Sequence, residues 1–230
     1  MCGRITLLTY DEMRSVVEAV ETRSLPDLHV SAVAGGMPGR AQARPGSVVE
    51  AIAPHVNGLK IAPFTWGFPI QGGKKLVFNT RLESALSGTG MWAPAIRDSR
   101  CLLPVASFFE PHVAETATSS RTGKPIKRQY EFAATGGAPL LLAAVSSSDR
   151  LSVVTTEPNA AVAPIHPRMP LVLRFEEVPV WLEGDYASLA DRTGLAFEIA
   201  PETAAAAPLA SSNARTATPR VPDDAQPSLF

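Results

Sequence analysis

The sequence predicts an α+β fold: a curled, barrel-like, mostly antiparallel sheet with a few flanking helices. Three observations predict it. Seven short apolar runs rich in β-branched and aromatic residues lie between residues 48 and 156, with Gly, Pro, Asn, Asp or Ser punctuating the gaps. Only one segment carries a strong helical period. No internal repeat points to a solenoid or propeller.

The helical segment spans 10–21. Thr9 followed by Glu12 forms a capping box, and Met13, Val16, Val17 and Val20 recur at helical spacing. A Gly/Pro-rich, irregular stretch follows over 26–45. The β-rich runs are 48–52, 59–66, 75–79, 101–109, 130–134, 139–145 and 151–156. Residues 146–150, Ser-Ser-Ser-Asp-Arg, read as a hairpin connection between the last two. A second helix is expected to start after Asp185 and run toward Leu195. From residue 204 the chain is rich in Ala, Ser, Thr and Pro, the composition of a flexible tail. The expected organisation is one domain over 1–203 and a tail over 204–230.

The composition, 45% hydrophobic and 19% charged, is that of an ordinary globular chain. No apolar run approaches the roughly 18 residues of a membrane span, and no basic region followed by an apolar stretch marks a secretory signal. Two cysteines, Cys2 and Cys101, do not make a disulfide framework, and no metal-type Cys/His spacing occurs. The expectation is a cytoplasmic protein without metal or cofactor. Net charge is −1, which gives no whole-chain argument for nucleic acid. The distribution is uneven, however: residues 1–130 hold 15 Lys/Arg against 10 Asp/Glu, and residues 131–230 hold 6 against 12. A basic front half can supply a phosphate-contacting face.

The chain opens Met1-Cys2-Gly3-Arg4. A small second residue favours removal of the initiator, leaving Cys2 at the terminus with two nucleophiles on adjacent carbons. One is an α-amine of pKa about 7.7–8.0, the other a thiol of pKa about 8.5. Such a pair captures an aldehyde as an imine, which sulfur then closes into a five-membered thiazolidine. Three further clusters put polar groups among the strands: Asn79-Thr80-Arg81-Leu82-Glu83; Arg100-Cys101 leading to Phe109-Glu110; and Ile165-His166-Pro167-Arg168-Met169-Pro170. Together with Cys2 they offer an amide, a carboxylate, an imidazole and several guanidinium groups, an acid–base and anion-binding kit if they converge. Cys101, inside an apolar run, reads as an inert buried thiol.

This ordered set of motifs, with the N-terminal cysteine, resembles the SOS response-associated peptidase (SRAP) family of abasic-site-processing proteins. The resemblance runs from Met1 to about Asp185 and includes Thr155-Thr156 and Asn159 before Ile165. It implies an SRAP-like domain that senses and shields abasic sites in single-stranded DNA, with AP-lyase and self-reversal activity as further steps. Cys2 is the implied crosslinking nucleophile. Glu110 moves protons during sugar ring-opening, His166 protonates or stabilises the sugar oxygen, and Asn79 positions the sugar. Arg4, Arg81 and Arg168 are implied phosphate ligands. Thr155 belongs to the same DNA-binding set, and Trp66 offers a stacking face. The chain departs from the family pattern where tryptophan becomes Pro111 after Glu110, and where tyrosine and asparagine become Ala41 and Gln42.

Two rival readings stand beside this one: a thiol peptidase limited to autoprocessing of Met1, and a non-covalent single-strand-binding module. The last five residues, Gln226-Pro227-Ser228-Leu229-Phe230, resemble the bacterial sliding-clamp-binding pentapeptide. Leu229 and Phe230 would fill an apolar pocket of the clamp while Gln226 bonds at its rim. The implied location is therefore cytoplasmic and nucleoid-associated.

Overall fold

Alternate residues of the central strands belong to two different cores, and this explains why those strands read as unbroken apolar runs. A computed structural model describes residues 2–24, 28–30, 39–70, 75–88 and 91–202. In chain order its elements are β1 (Ile5–Leu7), α1 (Tyr10–Thr22), β2 (Gln42–Ala43), β3 (Val48–His55), β4 (Gly58–Trp66), β5 (Phe68–Pro69), β6 (Leu76–Val77) and β7 (Asn79–Arg81). There follow α2 (Leu82–Leu86), α3 (Ala93–Asp98), β8 (Arg100–Thr118), β9 (Pro125–Ala134), β10 (Leu140–Ser147), β11 (Arg150–Thr156), β12 (Met169–Pro170), β13 (Val172–Leu173), α4 (Val178–Glu183) and β14 (Phe197–Pro201).

The main sheet runs in the order β13-β10-β11-β4-β3-β8-β1-β2, and β8 also pairs with β10, so the five strands β10, β11, β4, β3 and β8 close on themselves. Most neighbours are antiparallel; β11 runs parallel to β4 and to β7. The α+β class and the curled, mostly antiparallel sheet are as the sequence predicts, with closure confined to part of the sheet. Leu140, Leu142 and Ala144 of β10 and Cys101, Leu103 and Val105 of β8 face an inner core with Trp66, Phe108 and Phe132. Leu141, Ala143 and Val145, with Leu102, face an outer core covered by Met13 and Val16 of α1, Leu82 of α2, Ile96 of α3 and Trp181 of α4. A sheet covered on both faces needs apolar residues at every position, not alternate ones.

Helix α1 follows the sequence closely. Thr9 accepts from the Glu12 amide and donates its own amide to the Glu12 carboxylate, and Met13, Val16 and Ala19 are buried. Three features differ from expectation. The run 75–79 breaks at Phe78, whose carbonyl accepts from both the Trp66 indole and the Val153 amide. The helix expected after Asp185 is a short 3-10 turn, Tyr186–Ala190. It stops because Asp191 bonds the Thr193 amide and Gly194 takes φ +81°. Helices α2, α3 and α4, at 5, 6 and 6 residues, are too short to show a periodic stripe. No described helix is long and apolar enough to cross a membrane. The tail, with Gln226, Leu229 and Phe230, lies outside the described residues.

Candidate active site

Cys2 sits immediately before β1, and β1 is sewn to the middle of β8. Ile5 lies opposite Phe108 and Thr6 opposite Ser107, and the Phe109 amide donates to the Arg4 carbonyl at 3.0 Å. This pairing carries the start of the chain into the interior beside the stretch of β8 that contains Glu110. Cys2 has no exposed surface. Its thiol lies 3.9 Å from the Arg4 carbonyl oxygen. Burial, and then the charge of Glu110, push the thiol well above its usual range, so the sulfur is protonated at neutral pH.

Asn79 opens β7, which lies parallel to β11 with Asn79 opposite Val153. Its Nδ2 donates to the Cys2 carbonyl at 2.9 Å. Its Oδ1 is buried with no hydrogen-bond partner among the described residues. Leaving an acceptor so placed costs about 1–3 kcal/mol, and it suits an oxygen kept for a donor that arrives later. Glu110 is fully buried, and burial pushes its carboxyl up to about 7. Its Oε2 lies 3.7 Å from Nδ1 of His166.

His166 comes from the turn after β11. Asn159 builds that turn: its Oδ1 accepts from the Ala161 and Val162 amides at 3.1 and 3.2 Å, and its Nδ2 ties the turn to the Leu195 carbonyl at 2.9 Å. The His166 amide closes the turn on the Val162 carbonyl. Nδ1 faces both the Arg168 carbonyl, at 2.8 Å, and the Arg168 amide, at 3.2 Å. One backbone residue thus supports either tautomer. With Nδ1 accepting, Nε2 carries the proton and serves as a donor. Burial lowers the His166 pKa, which favours the neutral ring.

The four predicted catalytic residues therefore share one interior site, linked by Asn79 to Cys2, by Glu110 to His166, and by the field of Glu110 on Cys2. The predicted DNA-contacting residues are placed less uniformly. Arg81 is exposed on β7. Arg168 makes a bidentate pair with Glu83, both bonds 2.9 Å, and a 2.8 Å bond to the Thr155 carbonyl. Thr155 is fully buried. Arg4 is 3% exposed; its guanidinium lies 3.8 Å above the Phe109 ring and grips Glu202 with bonds of 2.6 and 2.7 Å. Trp66 corrects an expectation: it is fully buried in the inner core, edge-on to Phe78, so it presents no stacking face. Arg100 is also structural, bonding the carbonyls of Ile96, Arg97, Trp181 and Leu182 at the ends of α3 and α4. Cys101 is buried, and burial pushes its thiol to about 12.

Sequence reasoning gave Asn159 no task and passed over Glu131. Glu131 is a buried carboxylate on β9 that accepts from the Ser107 hydroxyl at 2.6 Å, while Ser107 bonds Thr6 at 2.8 Å. This polar chain pins β1, β8 and β9 together beneath the site. A lone glutamate between Tyr130 and Phe132 was its only signal. The divergent 40–45 segment is held too: Arg40 grips Glu12 at 2.5 and 2.7 Å, which brings Glu12 down to about 2. Gln42 and Ala43 then pair with Thr6 and Ile5.

A family model described as SOS response associated peptidase (SRAP) matches residues 1–212. The abasic site processing protein YoaM of Bacillus subtilis is 24% identical over 195 residues, 79% of each chain. YoqW of the same bacterium, also named an abasic site processing protein, is 24% identical over 197 residues, 79% of this chain and 80% of its own. Among solved structures, a phage-related protein of Bordetella bronchiseptica superposes with a TM-score of 0.60 at 24% identity, covering 87% of this chain and 93% of that one. A Bacteroides thetaiotaomicron protein does so with a TM-score of 0.60 at 16% identity, covering 87% and 91%. These likenesses carry the fold.

Proposed function

The chain belongs to the SOS response associated peptidase (SRAP) family, and on that premise we propose that it processes abasic sites in single-stranded DNA by forming a thiazolidine between Cys2 and the ring-opened sugar. The observation that carries this reading is the convergence of a buried Cys2 backbone with Asn79, Glu110 and His166. With Met1 removed, the α-amine of Cys2 is the first nucleophile, because the buried thiol holds its proton.

The balance of atoms is simple. In ring-opening, Glu110 as carboxylate takes the proton of the C1′ hydroxyl and the bond from C1′ to the ring oxygen breaks. His166 gives that oxygen its Nε2 proton as Nδ1 takes the proton Glu110 has just received, so the imidazole ends neutral and Glu110 ends as carboxylate. The amine adds to the aldehyde carbon, and Glu110 carries the two amine protons in turn to the oxygen, which leaves as water and gives the neutral imine. The thiol then adds across the imine, forming the C–S bond and passing its proton to nitrogen by way of Glu110. Asn79 holds the Cys2 carbonyl and offers Oδ1 to a sugar hydroxyl. Lyase and self-reversal activity use the same groups, with Glu110 again exchanging the proton. Arg81 meets a flanking phosphate directly. Arg4 and Arg168 do so by exchanging the carboxylates of Glu202 and Glu83 for phosphate, which a guanidinium fork accepts with the same geometry. The protonated thiol argues against a peptidase, whose nucleophile is a thiolate.

The test is a denaturing gel. Mature protein is expected to shift an abasic single strand to a heat-stable adduct, and to leave unshifted the same strand after borohydride has reduced its aldehyde. An adduct of equal yield on the reduced strand would exclude aldehyde capture. We further propose that the tail recruits the protein to a bacterial sliding clamp through Gln226, Leu229 and Phe230. A peptide of the last ten residues is expected to bind the clamp saturably, and Leu229→Ala or Phe230→Ala to abolish it. No saturation at high micromolar peptide would end that proposal.

A further inference from the structure

Strand β8 does not stop at the site. It continues from Glu110 to Thr118, and β9 returns from Pro125, making a two-stranded arm of residues 111–130. At its root the register shifts: Pro111 lies opposite Gln129 and Thr116 opposite Lys127, so residues 112–115 bulge opposite Arg128 alone. The bulge is a fastening. Val113 donates its amide to the Ile165 carbonyl at 2.9 Å, next to His166, while its own carbonyl accepts from Lys127. Glu115 takes Arg128 at 3.1 Å and the Tyr130 hydroxyl at 2.9 Å, and lies 3.4 Å from His112.

Beyond this fastening the arm is exposed on both strands for most of its length. An isolated two-stranded hairpin is marginal in water, so its length is not explained by stability. Its charge is one-sided. Arg121, Lys124, Lys127 and Arg128 face one carboxylate, Glu115, and that carboxylate is engaged at the root. Arg121 and Lys124 stand at the exposed tip.

We propose that the 111–130 arm is a second DNA-binding element, lying along the phosphates to one side of the lesion. The inference rests on the abasic-site reading above. A polyanion is the charge complement of the tip, and the arm continues from Glu110 and is fastened to Ile165, the neighbour of His166, past which the lesion-bearing strand must run. Measured on β9, the five residues 125–129 at ~3.3 Å each extend about 16 Å before the tip, a reach beyond the single reacting nucleotide. The arm thus makes binding depend on DNA well outside the reacting nucleotide, and on one flank only.

The test compares mature wild type with Arg121→Ala/Lys124→Ala on three single strands bearing an abasic site: a pentanucleotide centred on the lesion, and versions lengthened by ten nucleotides on the 5′ or the 3′ side. Wild type is expected to bind one lengthened strand more tightly than the pentanucleotide. The double variant is expected to lose that gain, with the salt slope on the favoured strand falling by about 1.4, or ~0.7 for each phosphate contact on single strands. Its affinity for the pentanucleotide and its crosslinking rate at saturation should match wild type. A variant that keeps the full gain and slope overturns the proposal. So does equal weakening on the pentanucleotide, or a wild type indifferent to length. Absence of any wild-type adduct would instead overturn the abasic-site reading.

Discussion

Cys2→Ser, with Met1 removed, is expected to lose the heat-stable adduct with abasic single-stranded DNA entirely while keeping an imine that borohydride traps. The amine survives the substitution, so capture of the aldehyde still occurs. What disappears is closure of the second bond, because the oxygen analogue of the ring is much less stable. The site sharpens this expectation. Cys2 is wholly buried and its thiol is held protonated by burial and by Glu110, so sulfur cannot lead the reaction as a thiolate. It acts on a carbon already activated as an imine. Serine is nearly isosteric, and the Asn79 bond to the Cys2 carbonyl is untouched, so the positioning remains. A serine protein giving heat-stable adduct at wild-type yield would remove sulfur from the mechanism. Loss of the borohydride-trapped species as well would mean that the amine does not lead.

The sequence made some of this site legible and not the rest, for physical reasons. Cys2 was visible because a terminal aminothiol has chemistry of its own, and Glu110 and His166 because polar groups interrupt apolar or Pro-rich runs. Helix α1 was visible because a cap and a stripe coincide over 13 residues. The ring closure was not: pairing between β8 and β10, with Leu142 opposite Leu103, is a long-range register that no local pattern encodes. The surroundings of the arginines were equally invisible: a guanidinium at a strand end looks the same whether it is exposed, as Arg81 is, pairs with a carboxylate, as Arg4 and Arg168 do, or caps helices, as Arg100 does. Trp66 read as a stacking face because the family resemblance implied it, while its burial depends on what the closed sheet wraps around it. The α2, α3 and α4 helices owe their existence to the outer core they cover, since helices of 5 or 6 residues have little stability alone.

Glu110→Gln is expected to slow crosslinking by roughly 10²-fold under single-turnover, DNA-saturating conditions, the low end of what a positioned acid–base group supplies. That loss corresponds to about 2.7 kcal/mol of transition-state stabilisation. The amide keeps the shape of the side chain, so what is removed is proton transfer together with the negative charge that acts on the Cys2 thiol. The pH profile separates this role from a structural one. Burial pushes Glu110 up to about 7, so its carboxylate, the basic form, grows as pH rises from about 6 to about 8. The Cys2 amine, with an ordinary pKa of about 7.7–8.0, gains its nucleophilic form over the same interval. Two deprotonations then govern wild type, and its log rate should climb toward a slope of two below both values. Glutamine does not titrate, so the variant should climb with a slope of one, governed by the amine alone. If the variant kept the wild-type slope, the second titrating group would lie elsewhere, with His166 the nearest candidate at 3.7 Å. If Glu110→Gln weakened DNA binding and left the saturated rate unchanged, Glu110 would be a binding residue and the proton would travel by another route.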